Sequence, residues 1–149
     1  MRNILVVVII TFFFIGCSEV DKKSSEKVEN EIKGTWKLVY GEIKEGDSVQ
    51  IKELSNTEFI KIINDSHFAF FNQRKDSEED YYGGAGTYKL TGSNYTEKLE
   101  FIRAKTIRGH EFSFQIEFKG DTLIQHGLEE VEAANIKRYI VEKYIRLDE

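Results

Sequence analysis

The sequence contains a single cysteine and no proline, and its formal net charge is -5 over 149 residues. One cysteine excludes an intramolecular disulfide, a cysteine-rich zinc site and a paired-cysteine redox motif. The negative balance argues against a nucleic-acid-binding protein, because phosphate recognition needs clustered lysine and arginine. Hydrophobic residues make up 40 % and charged residues 32 % of the chain, which excludes disorder throughout. What is left is one small, acidic, globular module.

The chain also lacks the short motifs that mark common catalytic sites. It has no GxSxG, no HExxH, no P-loop and no GxGxxG that opens a helix. The glycine-rich residues 83–86 lead into a predicted strand, which favours a close packing contact over phosphate binding. His67, His110 and His126 lie on different predicted strands, so they do not indicate a metal site. We therefore expect no catalytic residues, no metal and no cofactor.

Residues 1–16 have the pattern of a secretion signal. Arg2 supplies a positive charge, and the apolar run at 4–15 is shorter than the roughly 20 helical residues that a bilayer requires. The run ends in Gly16-Cys17, which resembles the lipobox of bacterial lipoproteins. The resemblance implies cleavage before Cys17, whose thiol then carries the lipid that anchors the protein to a membrane. A plain secretory signal or an uncleaved anchor is the alternative interpretation.

Residues 17–32 are predicted to be a flexible stalk. They are mostly charged or serine, so they bury too little apolar surface to offset their ordering entropy, and only residues 27–32 suggest a short helix. Ser18 resembles the signal for outer-membrane retention in Gram-negative cells. Glu19 and Asp21 resemble the acidic signal that sends some lipoproteins to the cell surface. The sequence therefore predicts an outer-membrane lipoprotein of the cell envelope, facing either the periplasm or the exterior.

Residues 33–149 have the alternating apolar and polar pattern of half-buried strands. In residues 111–118 four apolar side chains fall on one face, which no helix could achieve. Short turns at 64–66, 91–93 and 119–121 indicate hairpins. Eight strands joined in this way predict an all-β fold, an up-and-down antiparallel barrel with room for packed side chains or one small ligand. The predicted strands are residues 35–40, 60–63, 67–72, 86–90, 94–101, 111–118, 122–126 and 138–147, with loops at 41–50, 73–82, 103–109 and 127–135.

The first and last predicted strands carry a recognisable pair of motifs. Gly34-Thr35-Trp36 opens the first strand, and Arg146 lies near the end of the last. This pairing resembles the lipocalin signature, in which a GxW motif meets an arginine on the closing strand. An indole face accepts a stacked guanidinium, whose donors can then bind nearby carbonyl groups.

Further stretches extend the resemblance over residues 33–148. The chain is similar there to a bacterial family of secreted lipocalin-like domains, many of them lipoproteins. The resemblance implies an eight-stranded lipocalin-like barrel closed by Trp36 and Arg146, and it implies no substrate. The stretches that carry it are residues 65–68, 84–88, 94–97, 120–125 and 142–146.

Strand alternation predicts which side chains face the barrel interior. On the first strand Trp36 sets the phase, so Leu38 and Tyr40 are expected to point inward. The last strand is ambiguous, because its alternation makes the face opposite Tyr144 the more apolar one. We follow the resemblance there, since a polar inward row suits a polar-lined cavity. The inward residues expected on the fifth and last strands are Tyr95, Glu97, Leu99, Phe101, Glu142, Tyr144 and Arg146.

The candidate ligand site depends on Glu97. A carboxylate buried among aromatic side chains is strongly unfavourable unless it is paired. Arg146, Tyr144, Gln125 and His67 are the candidate partners. Such a network either specifies the barrel on its own or also orients a ligand. The residues predicted to line the ligand site are Tyr40, Tyr88, Tyr95, Glu97, Phe112, Phe114, Gln125 and Tyr144.

Three functions are open at this point. The favoured one is a cell-envelope binding protein that holds a small apolar or amphiphilic molecule in its barrel. The second is a structural or interaction module, such as an inhibitor or an accessory subunit of an envelope complex. The third is an enzyme that uses His67 and Glu97 as an acid–base pair, but no nucleophile–base spacing supports it. We therefore expect a non-enzymatic protein held at a membrane by its lipid.

Overall fold

In the computed structural model of this chain, residues 28–78 and 80–147 are described. They form nine strands, of which eight close into an antiparallel up-and-down barrel. Each barrel strand pairs with the next along the chain, and β9 pairs back with β1. The predicted all-β barrel is therefore confirmed. The strands are β1 (Gly34–Glu45), β2 (Ser48–Ile51), β3 (Thr57–Ile63), β4 (His67–Arg74), β5 (Tyr81–Thr91), β6 (Asn94–Ile102), β7 (Glu111–Lys119), β8 (Thr122–Val131) and β9 (Ile136–Arg146).

Two regions expected to be loops are strands instead. Residues 41–50 extend β1 and form most of the short strand β2, which pairs with the C-terminal end of β1. Residues 127–135 extend β8 to a 3-10 turn at Glu132–Ala134, directly before β9. Both regions are rich in charged residues, so their alternation is weak in the sequence. The structure does show alternation at the end of β8, where Val131 is buried in the core and Glu130 is exposed.

A β-bulge in β1 reverses the expected orientation of Tyr40. Leu38 pairs with Tyr144, but the next pair joins Tyr40 to Lys143, so Val39 is an additional residue in β1. Such an insertion shifts the following side chains to the other face of the sheet. Tyr40 therefore lies on the outside, where the Lys143 ammonium is 4.8 Å from its ring centroid. The prediction that Tyr40 lines the interior is wrong.

A second bulge, in β6, acts in the same way. The register between β5 and β6 shifts between Leu99 and Phe101, leaving Glu100 as the additional residue. Phe101 is consequently 68 % exposed, while Ile102 takes the buried position. The prediction that Phe101 faces inward is therefore also wrong.

The glycine-rich residues 83–86 lie within β5. A Cβ atom on Gly86 would be 1.8 Å from the carbonyl oxygen of Lys98, so no other residue fits at this approach of the two backbones. This confirms the packing interpretation of the glycine-rich stretch.

Trp36 and Arg146 seal one end of the barrel, as predicted. They are paired neighbours on β1 and β9, and the guanidinium carbon lies 4.3 Å from the indole ring centroid. The guanidinium donates hydrogen bonds to the carbonyl oxygens of Lys33 (2.6 Å) and Glu31 (2.5 Å). The indole nitrogen donates to the carbonyl oxygen of Ile32 at 2.8 Å. Stacking and carbonyl binding thus fix the chain that leads into β1.

The residues just before the barrel pack against this closed end. Residues 28–32 form a short helix, and Ile32 is fully buried in the core. Gly34 then adopts a φ of 145°, a conformation that favours glycine. Cys17, the predicted secretion signal and the first part of the predicted stalk lie outside the described residues. Across residues 28–78 and 80–147, no helix is both long enough and apolar enough to cross a membrane.

Candidate functional site

A cavity of about 120 Å³ lies inside the barrel, away from the closed end. It meets solvent beside Tyr82 and Arg138, which are partly exposed at the opposite end. We call that opening the mouth, and the inner end near Lys61 the floor. The wall is formed by apolar and aromatic side chains from six strands and the 3-10 turn at Lys105–Ile107. The lining residues are Lys52, Phe59, Lys61, Phe70, Tyr82, Glu97, Leu99, Ile107, Phe112, Phe114, Gln125, Glu129, Ile136, Arg138, Ile140, Glu142 and Tyr144.

The floor is centred on a buried lysine. Lys61, on β3, is 3 % exposed, and its ammonium forms an ion pair with Glu97 on β6. The same ammonium donates a hydrogen bond to the side-chain oxygen of Gln125 on β8, at 2.8 Å. It also lies 5.3 Å from the ring centroid of Tyr95 and 5.8 Å from that of Tyr144. Aromatic faces attract a desolvated cation, so these rings add to the contacts that hold the buried ammonium group in place.

A second ion pair adjoins the first. Lys52 follows β2 and passes over Gly41 of β1, where a Cβ atom would clash with the lysine stem at 2.5 Å. Its ammonium donates to Glu142 Oε1 at 2.5 Å, and the Tyr144 hydroxyl donates to Glu142 Oε2, also at 2.5 Å. Both carboxylate oxygens of Glu142 are therefore occupied. Glu142 and Tyr144 face inward, as the resemblance implied.

The two buried glutamates differ in their proton affinity. Burial raises the pKa of Glu97, although the ion pair with Lys61 acts in the opposite direction. Burial also opposes charge on Glu142, but the nearby ammonium groups of Lys52 and Lys61 outweigh it and lower the pKa of that carboxyl. Glu142 therefore keeps its negative charge more firmly, whereas Glu97 takes up a proton more readily.

Five of the eight predicted site residues line the cavity: Glu97, Phe112, Phe114, Gln125 and Tyr144. The other three lie elsewhere. Tyr95 is fully buried below the floor, and the ring of Tyr88 packs on it with centroids 5.2 Å apart. The Tyr88 hydroxyl donates to the carbonyl oxygen of Asn64 in the closed-end hairpin, at 2.7 Å. Tyr40 is outside the barrel because of the bulge in β1.

The predicted partners of Glu97 need correction. Arg146 is engaged with Trp36 and the carbonyl groups at the closed end. His67 is exposed and contacts the Ser66 hydroxyl through Nδ1 at 2.7 Å, because its neighbour Phe68 takes the inward position on β4. Gln125 reaches Glu97 only through their shared contact with Lys61. The acid–base pair of His67 and Glu97 is consequently not formed.

Sequence reasoning missed Lys61 and Lys52, which neutralise the site. Lysine in a strand normally faces solvent, so neither residue was considered for the interior. One signal was available for Lys61. It shares an alternation face with Phe59 and Ile63, and both of these pack in the core. Nothing in the sequence indicated Lys52, because its position depends on the path taken after β2.

The polar groups of the site can form hydrogen bonds, and its wall offers apolar contact. Among the described residues, no group of three or more histidine, cysteine, aspartate or glutamate side chains is arranged to hold a metal ion. The polar groups at the floor are carboxylates, ammonium groups, a phenol and an amide. The arrangement is that of a barrel with an internal cavity that opens at one end.

Comparison with known proteins found similarity among solved structures. No family model and no curated protein matches this chain. A crystal structure of an uncharacterized protein from Bacteroides eggerthii is similar to it, with 15 % sequence identity and a TM-score of 0.47. The similarity covers 75 % of this chain and 98 % of that one.

Proposed function

We propose that this protein is a lipoprotein of the bacterial cell envelope whose barrel holds a small apolar or amphiphilic molecule without transforming it. The observation that carries the proposal is the cavity of about 120 Å³, which joins an aromatic wall to a polar floor. Small-molecule sites are mostly apolar with a few placed hydrogen-bonding groups. An apolar cavity of about 150 Å³ accommodates benzene. This cavity therefore suits a single ring or the end of a chain that projects from the mouth.

The position of the closed end supports an anchor at Cys17. Residues 28–32 pack against the end sealed by Trp36 and Arg146, so the segment that follows Cys17 joins the described residues at that end. The mouth, at the opposite end, is then free to admit a ligand. The secretion signal and the lipobox-like Gly16-Cys17 support location at the outer membrane.

The direct test is native mass spectrometry of the protein purified from its own host. We expect a discrete mass excess that disappears on unfolding and is beyond the mass of the lipidated chain. The matched variants are Leu99→Trp, which fills the cavity, and Phe101→Trp, which adds the same side chain on the outer face of β6. The excess should be lost in the first variant and kept in the second. A wild-type protein with no retained molecule, and no binding in a screen of small amphiphiles, would contradict the proposal.

A second candidate, the interaction module, is favoured by the outer face of the barrel. Ile62 pairs with Ala69, Ala69 with Ala85, and Ala85 with Phe101, so an apolar row crosses four strands. Ile62 and Phe101 are both exposed. Exposed apolar patches on soluble domains often mark contact surfaces. This candidate expects an envelope protein that co-purifies with the wild type and is lost from an Ile62→Ser/Phe101→Ser double variant with unchanged melting temperature.

A further inference from the structure

The charged side chains that line the cavity neutralise one another. Six of the lining residues are charged, and they form three pairs. Lys61 pairs with Glu97, Lys52 with Glu142, and Arg138 with Glu129 at 2.5 Å near the mouth. The site therefore has no net charge to offer an ionic head group.

An ionic ligand would have to break one of these pairs or enter unpaired. A carboxylate at the floor would meet Glu97 and Glu142, and an ammonium group would meet Lys61 and Lys52. Each of these residues except Lys52 is nearly fully buried, and an uncompensated charge in such a place is strongly unfavourable. The floor thus discriminates against ions of either sign.

Gln125 supplies an uncharged hydrogen-bonding group, which the charged pairs do not. Its side chain is 2 % exposed, and its amide oxygen accepts a hydrogen bond from Lys61. An ammonium group can only donate, so this contact fixes the oxygen toward Lys61 and turns the amide nitrogen away. Within residues 28–78 and 80–147, that nitrogen donates to no other group. Gln125 lines the cavity and its amide nitrogen is not fully enclosed by protein, so this donor is open to an acceptor atom from a ligand in place of water.

We infer that the cavity binds neutral molecules whose head group carries a carbonyl oxygen, such as a small carboxamide, with an apolar ring or short chain along the aromatic wall. The head-group oxygen accepts from the amide nitrogen of Gln125. The apolar part lies against Phe112 and Phe114. This inference rests on the proposed function, since it concerns the same cavity, and it adds that fatty carboxylates and amines are excluded.

The test compares three probes with the same ring: benzamide, benzoate and benzylammonium. Dissociation constants are measured by calorimetry at pH 7 and constant ionic strength, on the full-length protein in lipid nanodiscs, with empty nanodiscs as the blank. We expect benzamide to bind at least about tenfold more tightly than either ion, which corresponds to about 1.4 kcal/mol. Benzoate or benzylammonium binding as tightly as benzamide would overturn the inference and leave the binding function intact. If none of the three binds and the host-purified protein carries no molecule, the binding function itself fails.

The variant Gln125→Glu tests the proposed donor. It keeps an oxygen for Lys61 and replaces the amide nitrogen with a second acceptor of the same shape. We expect the affinity for benzamide to fall about tenfold, and the affinity for benzylammonium to rise relative to that for benzamide. Gln115→Glu, the same change on the exposed face of β7, is the control and should leave both affinities unchanged. Equal benzamide affinity in Gln125→Glu and wild type would overturn the role of Gln125. If Gln125→Glu does not fold, the ranking of the three probes on the wild type decides the inference alone.

Discussion

Lys61 and Glu97 form an ion pair across the interior of the barrel, although β4 and β5 separate their strands in the sheet. Gln125, on β8, shares the same ammonium group. Side chains from β3, β6 and β8 therefore meet at one buried ammonium group. The pair was not anticipated, and it explains how a carboxylate is held among aromatic side chains.

Breaking the buried pair should be costly. Lys61→Met leaves Glu97 buried without its cation, so we expect a loss of about 3–5 kcal/mol in the free energy of unfolding. The double variant Lys61→Met/Glu97→Leu removes both charges and should recover most of that loss. Urea unfolding followed by the fluorescence of Trp36 measures the effect.

The control for this experiment is an exposed pair on the outer face. Lys37 and Glu58 form an ion pair at 2.9 Å with both side chains partly exposed, so Lys37→Met should lose less than about 1 kcal/mol. Equal losses for Lys37→Met and Lys61→Met would contradict the structural role assigned to the buried pair.

The pH dependence of stability should change in opposite directions in two variants. The pKa of Glu97 is raised in the folded protein, so the native state holds that proton longer than the unfolded chain. The ordinary pKa of this group is 4.5. As pH rises from about that value through the higher pKa of the folded state, ionisation of Glu97 lowers the free energy of unfolding. Glu97→Gln should remove this decrease.

Glu142 behaves in the reverse sense. Its pKa is lowered by Lys52 and Lys61 despite burial, so its contribution to the free energy of unfolding is present above pH 4.5, the ordinary pKa of the group, and is lost as pH falls through the folded pKa. Glu142→Gln should therefore be most destabilising near neutral pH and least so in acid. Denaturant unfolding at a series of pH values checks both variants, and parallel pH profiles for the two would contradict the assignment.

Trp36 and Arg146 should contribute to the free energy of unfolding in a coupled way. Trp36→Ala removes a fully buried indole, and we expect a loss of about 3–5 kcal/mol. Arg146→Ala, which loses the stacking and the bonds to the carbonyl groups of residues 31 and 33, should lose less. Because the two side chains are in contact, the double variant should fall short of the sum of the single losses. Strictly additive losses, measured by circular dichroism in urea, would show that the contact does not stabilise the closed end.

Membrane attachment should depend on Cys17. Lipidation of this residue with several acyl chains would hold the protein stably, whereas a single chain binds only marginally. Cys17→Ala should therefore release the protein into the soluble fraction or leave its signal uncleaved. Fractionation with mass analysis of the N-terminus makes the measurement. Normal processing together with normal membrane retention in Cys17→Ala would rule out the anchor.

Local patterning was sufficient for most of the fold. The alternation in β7, the hairpin turns and the motifs around Trp36 and Arg146 predicted the eight-stranded barrel and its closing contact. Five predicted lining residues do line the cavity, because each lies where its strand keeps a period of two through the core. Tyr40 and Phe101 differ from the prediction because each follows a bulge, whereas Tyr88 and Tyr95 pack together below the floor of the cavity.

The sequence by itself determined the number of barrel strands, the hairpin order and the inward phase of the uninterrupted strands, since these depend on contacts between near neighbours in the chain. Only the tertiary structure decided where Val39 and Glu100 interrupt the pairing, because a bulge is visible only against its partner strand. The same holds for Lys61 and Lys52. Whether a lysine faces water or a buried glutamate depends on the strands that stand opposite it, and these come together only when the barrel closes.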